Sequence, residues 1–266
     1  MSSRPWVDLF RSSPEPHGAA RDDGDDEAKL IPDPEWARTP GAGVARGVLQ
    51  QTMLFPLLHA LGRPEIIGAD DLVTYPQPAV IAPNHSSHVD TALMLRALPR
   101  TWRSNTIFAA ASDHFYANRA LGASVSLLFN SIPFERRGRL RGLRTAEKLL
   151  AQGWNVVMFA QGTRRAEGDL DQFHPGVGRV CLRAGVPAIP VWISGSGRML
   201  PPYRGLPRFT PLRIAFGRPI HAVTADDHTS FAARIEAAVK DLAAARGDRA
   251  MVGRAPIDHF TATGLL

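Results

Sequence analysis

From residue 64 to residue 245 the chain alternates short apolar runs with longer stretches whose apolar residues recur every three or four positions. The short runs, read as strands, are 66–67 paired with 72–73, 79–82, 106–110, 132–134, 156–159, 188–193 and 212–216. The longer stretches, read as helices, are 90–98, 120–129, 140–151, 177–184 and 230–245, several of them closed by Pro99, Gly153 or Gly185. Strand and helix in turn predict an α/β fold: a mostly parallel central sheet flanked by helices, with right-handed crossovers. The prolines of Val186-Pro187-Ala188-Ile189-Pro190-Val191 predict an edge position or a bend for that strand, because proline gives no N–H to a ladder.

In such a fold, chemistry gathers at the carboxyl ends of the strands. The run 79–82 ends in Pro83-Asn84-His85, and Asp90 opens the next helix. A histidine at that point can take a proton near neutral pH, and a carboxylate on its other ring nitrogen would fix its tautomer. His-x-x-x-x-Asp occurs three times, at His17/Asp22, His85/Asp90 and His221/Asp226. Only the second follows an apolar strand.

Two further strand ends carry polar groups. After 132–134 come Glu135, Arg136, Arg137 and Arg139, and Arg136, first beyond the strand, is the better candidate for phosphate. After 156–159 come Ala160-Gln161-Gly162-Thr163-Arg164-Arg165, where Gly162 permits a tight turn, Thr163 offers a hydroxyl and Arg164 a charged fork. His85 and His88 lack a third ligand for a metal. There is no Gly-x-Ser-x-Gly elbow and neither a phosphate-binding nor a dinucleotide-binding glycine loop.

The formal charge is +6, but residues 1–40 hold five Lys/Arg against nine Asp/Glu, so the remainder is strongly basic. A basic body suits phosphorylated or anionic partners. Nucleic acid fits poorly, because no aromatic pattern interleaves the basic strands. Cys181 is the single cysteine, so no disulfide framework exists, and its setting reads as core. Residues 1–43, broken up by Pro14, Pro16, Pro32, Pro34 and Pro40 and carrying the acidic run 22–27, read as a flexible tail. Residues 44–62 crowd Val44, Val48, Leu49, Met53, Leu54, Phe55, Leu57, Leu58 and Leu61 into a helix bent near Pro56 and ended by Gly62. That helix either packs on the domain or lies in a membrane interface. No apolar core segment of a signal peptide and no run of about 18 apolar residues is seen, so neither a leader nor a transmembrane helix is expected.

Taken in order, His85-x-x-x-x-Asp90 after Asn84, Ile132-Pro133-Phe134-x-Arg136, Phe159-Ala160-Gln161-Gly162-Thr163-Arg164 and Val186-Pro187-Ala188-Ile189-Pro190-Val191 resemble the four motif blocks of the glycerolipid, or lysophosphatidic acid, acyltransferase superfamily. Phe173-His174-Pro175-Gly176 resembles the Phe-Lys-x-Gly piece that follows the third block. The resemblance covers about residues 64–220. It implies an αβ acyltransferase domain, taken here as 63–248; residues 249–266 lack a strong pattern and read as a tail. It implies transfer of an acyl chain from acyl-CoA or acyl carrier protein, as co-substrate and with no bound cofactor or metal, to a lysophospholipid hydroxyl such as that of lysophosphatidate. It places the protein at the cytoplasmic surface of the cell membrane. By position, His85 is the base, Asp90 orients it, and Arg136, Gln161, Gly162, Thr163 and Arg164 belong to the acceptor-phosphate site. In place of the family's usual residues stand Asn130 for Gly, Gln161 for Glu and Arg165 for Ser. The same chemistry on another lipid hydroxyl and a non-catalytic lipid-binding relative are the alternative readings.

Overall fold

Successive side chains of a strand point to opposite faces, and the core divides on that rule. In β2 (Val80–Pro83) Val80 and Ala82 join one apolar cluster and Ile81 the other. The structure is a computed structural model that describes residues 33–134, 139–170, 173–201 and 207–245. Seven strands make one sheet: β1 (Pro64–Ile67), β2, β3 (Thr106–Ala111), β4 (Ser131–Phe134), β5 (Asn155–Val157), β6 (Ala188–Ser194) and β7 (Leu212–Phe216), in the order β1-β7-β6-β2-β5-β3-β4. From β6 through β2, β5 and β3 to β4 every pairing is parallel; β7 runs antiparallel to β6, and β1 follows the direction of β7.

Helices α1 (Pro40–Leu49), α2 (Phe55–Leu61), α3 (Val89–Ala97), α4 (Arg100–Ser104), α5 (Ser112–Phe115) and α6 (Arg119–Phe129) precede β4 in the chain; α7 (Arg139–Ala151), α8 (Pro175–Ala184), α9 (Ser196–Met199) and α10 (His228–Ala244) follow it. One face of the sheet is covered by α7, α8 and α10, through residues such as Leu149, Val180 and Ile235. The other is covered by α2 and α3, through Phe55, Leu58, Leu93 and Leu95. Each such side chain contributes roughly 1.5–3 kcal/mol when fully buried. The expected α/β architecture is therefore present, and so are the five expected helices, each shifted by no more than two residues at either end. α10 starts at a capping box, in which Asp227 accepts from Ser230 N at 2.7 Å and Ser230 Oγ accepts from Asp227 N.

Several expectations are corrected. Residues 72–73 are not a strand; they lie in a 3-10 turn over Asp70–Thr74 with Leu72 fully buried. A two-residue apolar pair carries no periodicity, so a buried turn looks the same in sequence. The strand with Pro190 is not at an edge: β6 lies between β7 and β2. Its ladder to β7 stops at Phe216, Gly217 N then bonds the Pro190 carbonyl at 2.9 Å, and Ala188 pairs with Ile220. The missing N–H of Pro190 thus falls at an interruption in the pairing, where no donor is needed. The segment read as the end of a tail is ordered from residue 33, with a 3-10 turn at Glu35–Arg38 and α1 starting at Pro40 behind the capping Thr39. Residues 1–32 and 249–266 lie outside the described residues.

The expected helix at 44–61 is present as α1 and α2, joined by a wide π turn over Gln50–Leu54. The Phe55 N–H reaches back five residues to the Gln50 carbonyl, a looser winding that leaves room for the Pro56 ring. Two long polar side chains fasten this helix to α6: Arg46 Nε donates to the Leu127 carbonyl at 2.7 Å and Gln50 Nε2 to the Leu128 carbonyl at 2.8 Å. Arg46 also donates to the Ala37 carbonyl. Burial, together with the neighbouring Arg38 charge, lowers the Arg46 guanidinium to about 10. The opposite side of the helix exposes Val44 (71%), Val48 (55%), Met53 (65%) and Leu57 (57%). No helix among the described residues is long and apolar enough to cross a membrane.

Candidate active site

β2 and β5 are neighbours, yet the chain leaves β2 for α3 on one face and leaves β5 for α8 on the other. Connections that part in this way open a crevice at the carboxyl edge of a sheet. His85 stands there. The buried Asn84 before it prolongs the β2–β6 ladder with its side chain, accepting from Ile193 N at 2.7 Å and donating to the Ile193 carbonyl at 3.0 Å. The backbone is then released to turn at His85.

Asp90 lies in the first turn of α3 and is wholly buried. Its Oδ2 accepts three hydrogen bonds, from Ser86 N at 2.7 Å, Ser87 N at 2.8 Å and His85 Nδ1 at 2.8 Å. A carboxylate can only accept, so the neutral imidazole carries its proton on Nδ1 and a lone pair on Nε2. The His85 ring stacks on Phe159, centroids 4.1 Å apart, and its side chain keeps 17% exposure. The third His-x-x-x-x-Asp spacing builds no such pair. Asp226 accepts instead from Val223 N and bonds Arg234, while Arg234 also donates to the His221 carbonyl. His17 and Asp22 lie outside the described residues.

The segment 161–165 is joined to the His85 turn. His85 N donates to Gln161 Oε1 at 2.9 Å, Arg165 N donates to the His85 carbonyl at 2.8 Å, and Arg164 Nη1 donates to His88 Nε2. Gln161, expected among the acceptor-binding residues, is fully buried, and its Nε2 donates to the Asp169 carbonyl at 2.8 Å. An amide serves both partners, an N–H on one side and a carbonyl on the other; an ionised glutamate could serve only the first. Gln161→Leu should therefore remove both bonds from a fully buried position, costing about 1–3 kcal/mol. Denaturant melting should register that loss together with a lower kcat, and an unchanged midpoint would show that the amide is dispensable.

Gly162 has φ +69°, and a Cβ there would lie 2.6 Å from the His174 ring, so a side chain is barred twice over. Thr163 follows, half-buried, at the same edge. Arg136 falls among residues 135–138, outside the described residues. Two neighbours were given no role at the site in the sequence reading. Phe159, the stacking partner of His85, looked only like one more apolar strand residue. Glu167 accepts from Gly197 N at 2.8 Å and from Gly195 N, and faces Arg198 at 3.6 Å. Burial pushes its carboxyl above the usual range, against those N–H bonds and Arg198, with the charge of Asp90 adding to the rise. A lone acid in a polar loop gives no periodic signal that would mark it. Cys181 is buried, and burial pushes its thiol up to about 12, far from nucleophilic use at neutral pH.

A family model described as Acyltransferase matches residues 64–194, a span containing the His85–Asp90 pair and the whole 161–165 segment. The chain belongs to the acyltransferase family. Among curated relatives of this acyltransferase-family chain is the chloroplastic 1-acyl-sn-glycerol-3-phosphate acyltransferase LPAT1 of Arabidopsis thaliana, 28% identical over 60% of this chain and 44% of its own. Another is a probable 1-acyl-sn-glycerol-3-phosphate acyltransferase of Mycoplasma genitalium, 27% identical over 51% of each. The chain spans about half the length of the curated relatives it matches. The crystal structure of the 1-acyl-sn-glycerophosphate (LPA) acyltransferase PlsC from Thermotoga maritima shares the fold, with a TM-score of 0.59, 20% identity, and coverage of 85% of this chain and 86% of that one.

Proposed function

We propose that the protein transfers a fatty acyl group from an acyl thioester, acyl-CoA or acyl carrier protein, to the free hydroxyl of lysophosphatidate, with His85 as general base. The observation that carries this reading is the Asp90 carboxylate on His85 Nδ1 at 2.8 Å, which leaves Nε2 as the proton acceptor. In the reaction Nε2 takes the proton of the acceptor hydroxyl as its oxygen attacks the thioester carbonyl. The tetrahedral intermediate collapses, the carbon–sulfur bond breaks, and the imidazolium returns the proton to the departing thiolate. A thiolate leaves readily, so no enzyme nucleophile is required. Arg164 and Thr163 lie in the segment bonded to the His85 turn, which supports their use by a phosphate-bearing acceptor, and Arg136 is assigned to the same anion. The names of the relatives point to the same acceptor.

The exposed apolar side of α1 and α2 favours a peripheral seat on the cytoplasmic face of the cell membrane, the helix lying along the bilayer surface. One experiment tests both statements. Purified protein is mixed with labelled acyl-CoA and vesicles holding lysophosphatidate, other lysolipids or monoacylglycerol, and the vesicles are then sedimented. The expected result is label in phosphatidate and protein in the pellet. Label confined to another product moves the acceptor assignment, and protein left in the supernatant removes the membrane one.

A further inference from the structure

We propose that His88 is a positioning residue that aims Arg164 at the phosphate of the acceptor and so sets the preference for a phosphorylated over an uncharged acceptor. The inference rests on the acyl-transfer reading given above.

His88 is three residues beyond the proposed base, in the turn that carries it. Its ring is held from two sides. Arg164 Nη1 donates to Nε2, and the Phe115 ring, from α5, makes a T-shaped contact with it, centroids 5.9 Å apart and planes at 87°. A guanidinium has only donors and keeps its charge throughout the ordinary pH range. The bond therefore requires a lone pair on His88 Nε2. That same requirement excludes His88 as a second general base, because the nitrogen that would take a proton faces Arg164.

The segment on both sides of Arg164 is already fixed to His85, through the Gln161 side chain before it and the Arg165 N–H after it. The Arg164 side chain beyond that backbone is long and has several rotatable bonds. A hydrogen bond to one corner of the guanidinium removes most of that freedom and sets the plane of the fork. A fork held in one orientation binds a phosphate more tightly than one that must be ordered each time. The effect belongs to the anion: an acceptor lacking phosphate gains nothing from it, and the proton transfer at His85 does not pass through it.

The test compares His88→Leu and His88→Gln with the natural protein, each in full-length form. A glutamine oxygen can stand near the place of Nε2 and accept from Arg164, whereas leucine cannot. For each protein kcat and KM are measured with lysophosphatidate, with a monoacylglycerol of the same chain, and with the acyl thioester. In His88→Leu the KM for lysophosphatidate should rise roughly tenfold or more, the scale of one hydrogen bond to a charged group. Its kcat and the KM values of the other two substrates should stay within about twofold, and His88→Gln should recover most of the loss. An equal rise for both acceptors, no rise at all, or a glutamine variant no better than leucine would each overturn the role given to His88. A natural protein that acylates both acceptors equally well overturns it too, yet leaves acyl transfer standing. Transfer to neither acceptor overturns the acyl-transfer reading, and the role of His88 with it.

Discussion

His85→Ala should lower acyl transfer by about 10³-fold or more, near the upper part of the range for loss of a general base, while the melting temperature changes little. The geometry separates the two effects. The His85 side chain contributes one hydrogen bond, from Nδ1 to Asp90, and a stacking contact on Phe159. When it is removed, Asp90 Oδ2 still accepts from Ser86 N and Ser87 N, so the buried carboxylate is not orphaned. The backbone bonds that tie His85 to Gln161 and Arg165 do not involve its side chain and persist. His221→Ala should leave the rate unaltered, because Asp226 is bonded to Arg234 and Val223 N. Single-turnover rates beside thermal unfolding curves give the comparison. Loss of activity in His221→Ala with retention in His85→Ala would place the base elsewhere.

Asp90→Asn should lower kcat by roughly 10²-fold with little change in the acceptor KM. The reasoning starts from the two serine N–H groups. Both point at the position of Oδ2, so an asparagine there must present its oxygen to them and turn its NH₂ toward the position of Oδ1. His85 Nδ1 then still meets an oxygen, and its tautomer is preserved. What is lost is the negative charge that stabilises the imidazolium as it forms. Asp90→Ala removes the acceptor altogether; it leaves two N–H groups unpaired at a wholly buried position, and should cost stability as well as rate. A pair of variants in which asparagine lost stability and alanine did not would contradict this account. So would an asparagine variant whose deficit lay entirely in acceptor KM.

The parts of this molecule that could be read in the sequence are those that repeat. Helices α7, α8 and α10 present apolar residues at helical spacing, and β2 and β6 are continuous apolar runs, so their existence and order were legible, and with them the edge of the sheet on which His85 falls. The His85–Asp90 bond was legible because strand, turn and helix leave one short path between the two residues. Direction was not. Nothing in 212–216 tells whether that strand lies parallel or antiparallel to its neighbour, and the interruption at Pro190 depends on that choice. Neither was the inward or outward sense of a polar side chain in a turn. Gln161 and Arg164 stand three residues apart in one loop; the first is an interior brace and the second bonds His88. Which way each faces is decided by the partners that the fold brings, His85 and Asp169 in one case and His88 in the other. Those partners are distant in sequence and carry no local mark.

The seam between the His85 turn and the 161–165 segment has a mechanical consequence. The amide and the carbonyl of His85 are both bonded across it, so the peptide units on either side of the base are gripped by the same strip of chain that bears Arg164. Swinging that strip outward would twist the planes that hold the imidazole. The two therefore travel as one rigid jaw. On the proposed reading, room for a long acyl chain has to come from elsewhere than this seam, and the spacing between His85 and Arg164 is set when the chain folds rather than anew in every turnover.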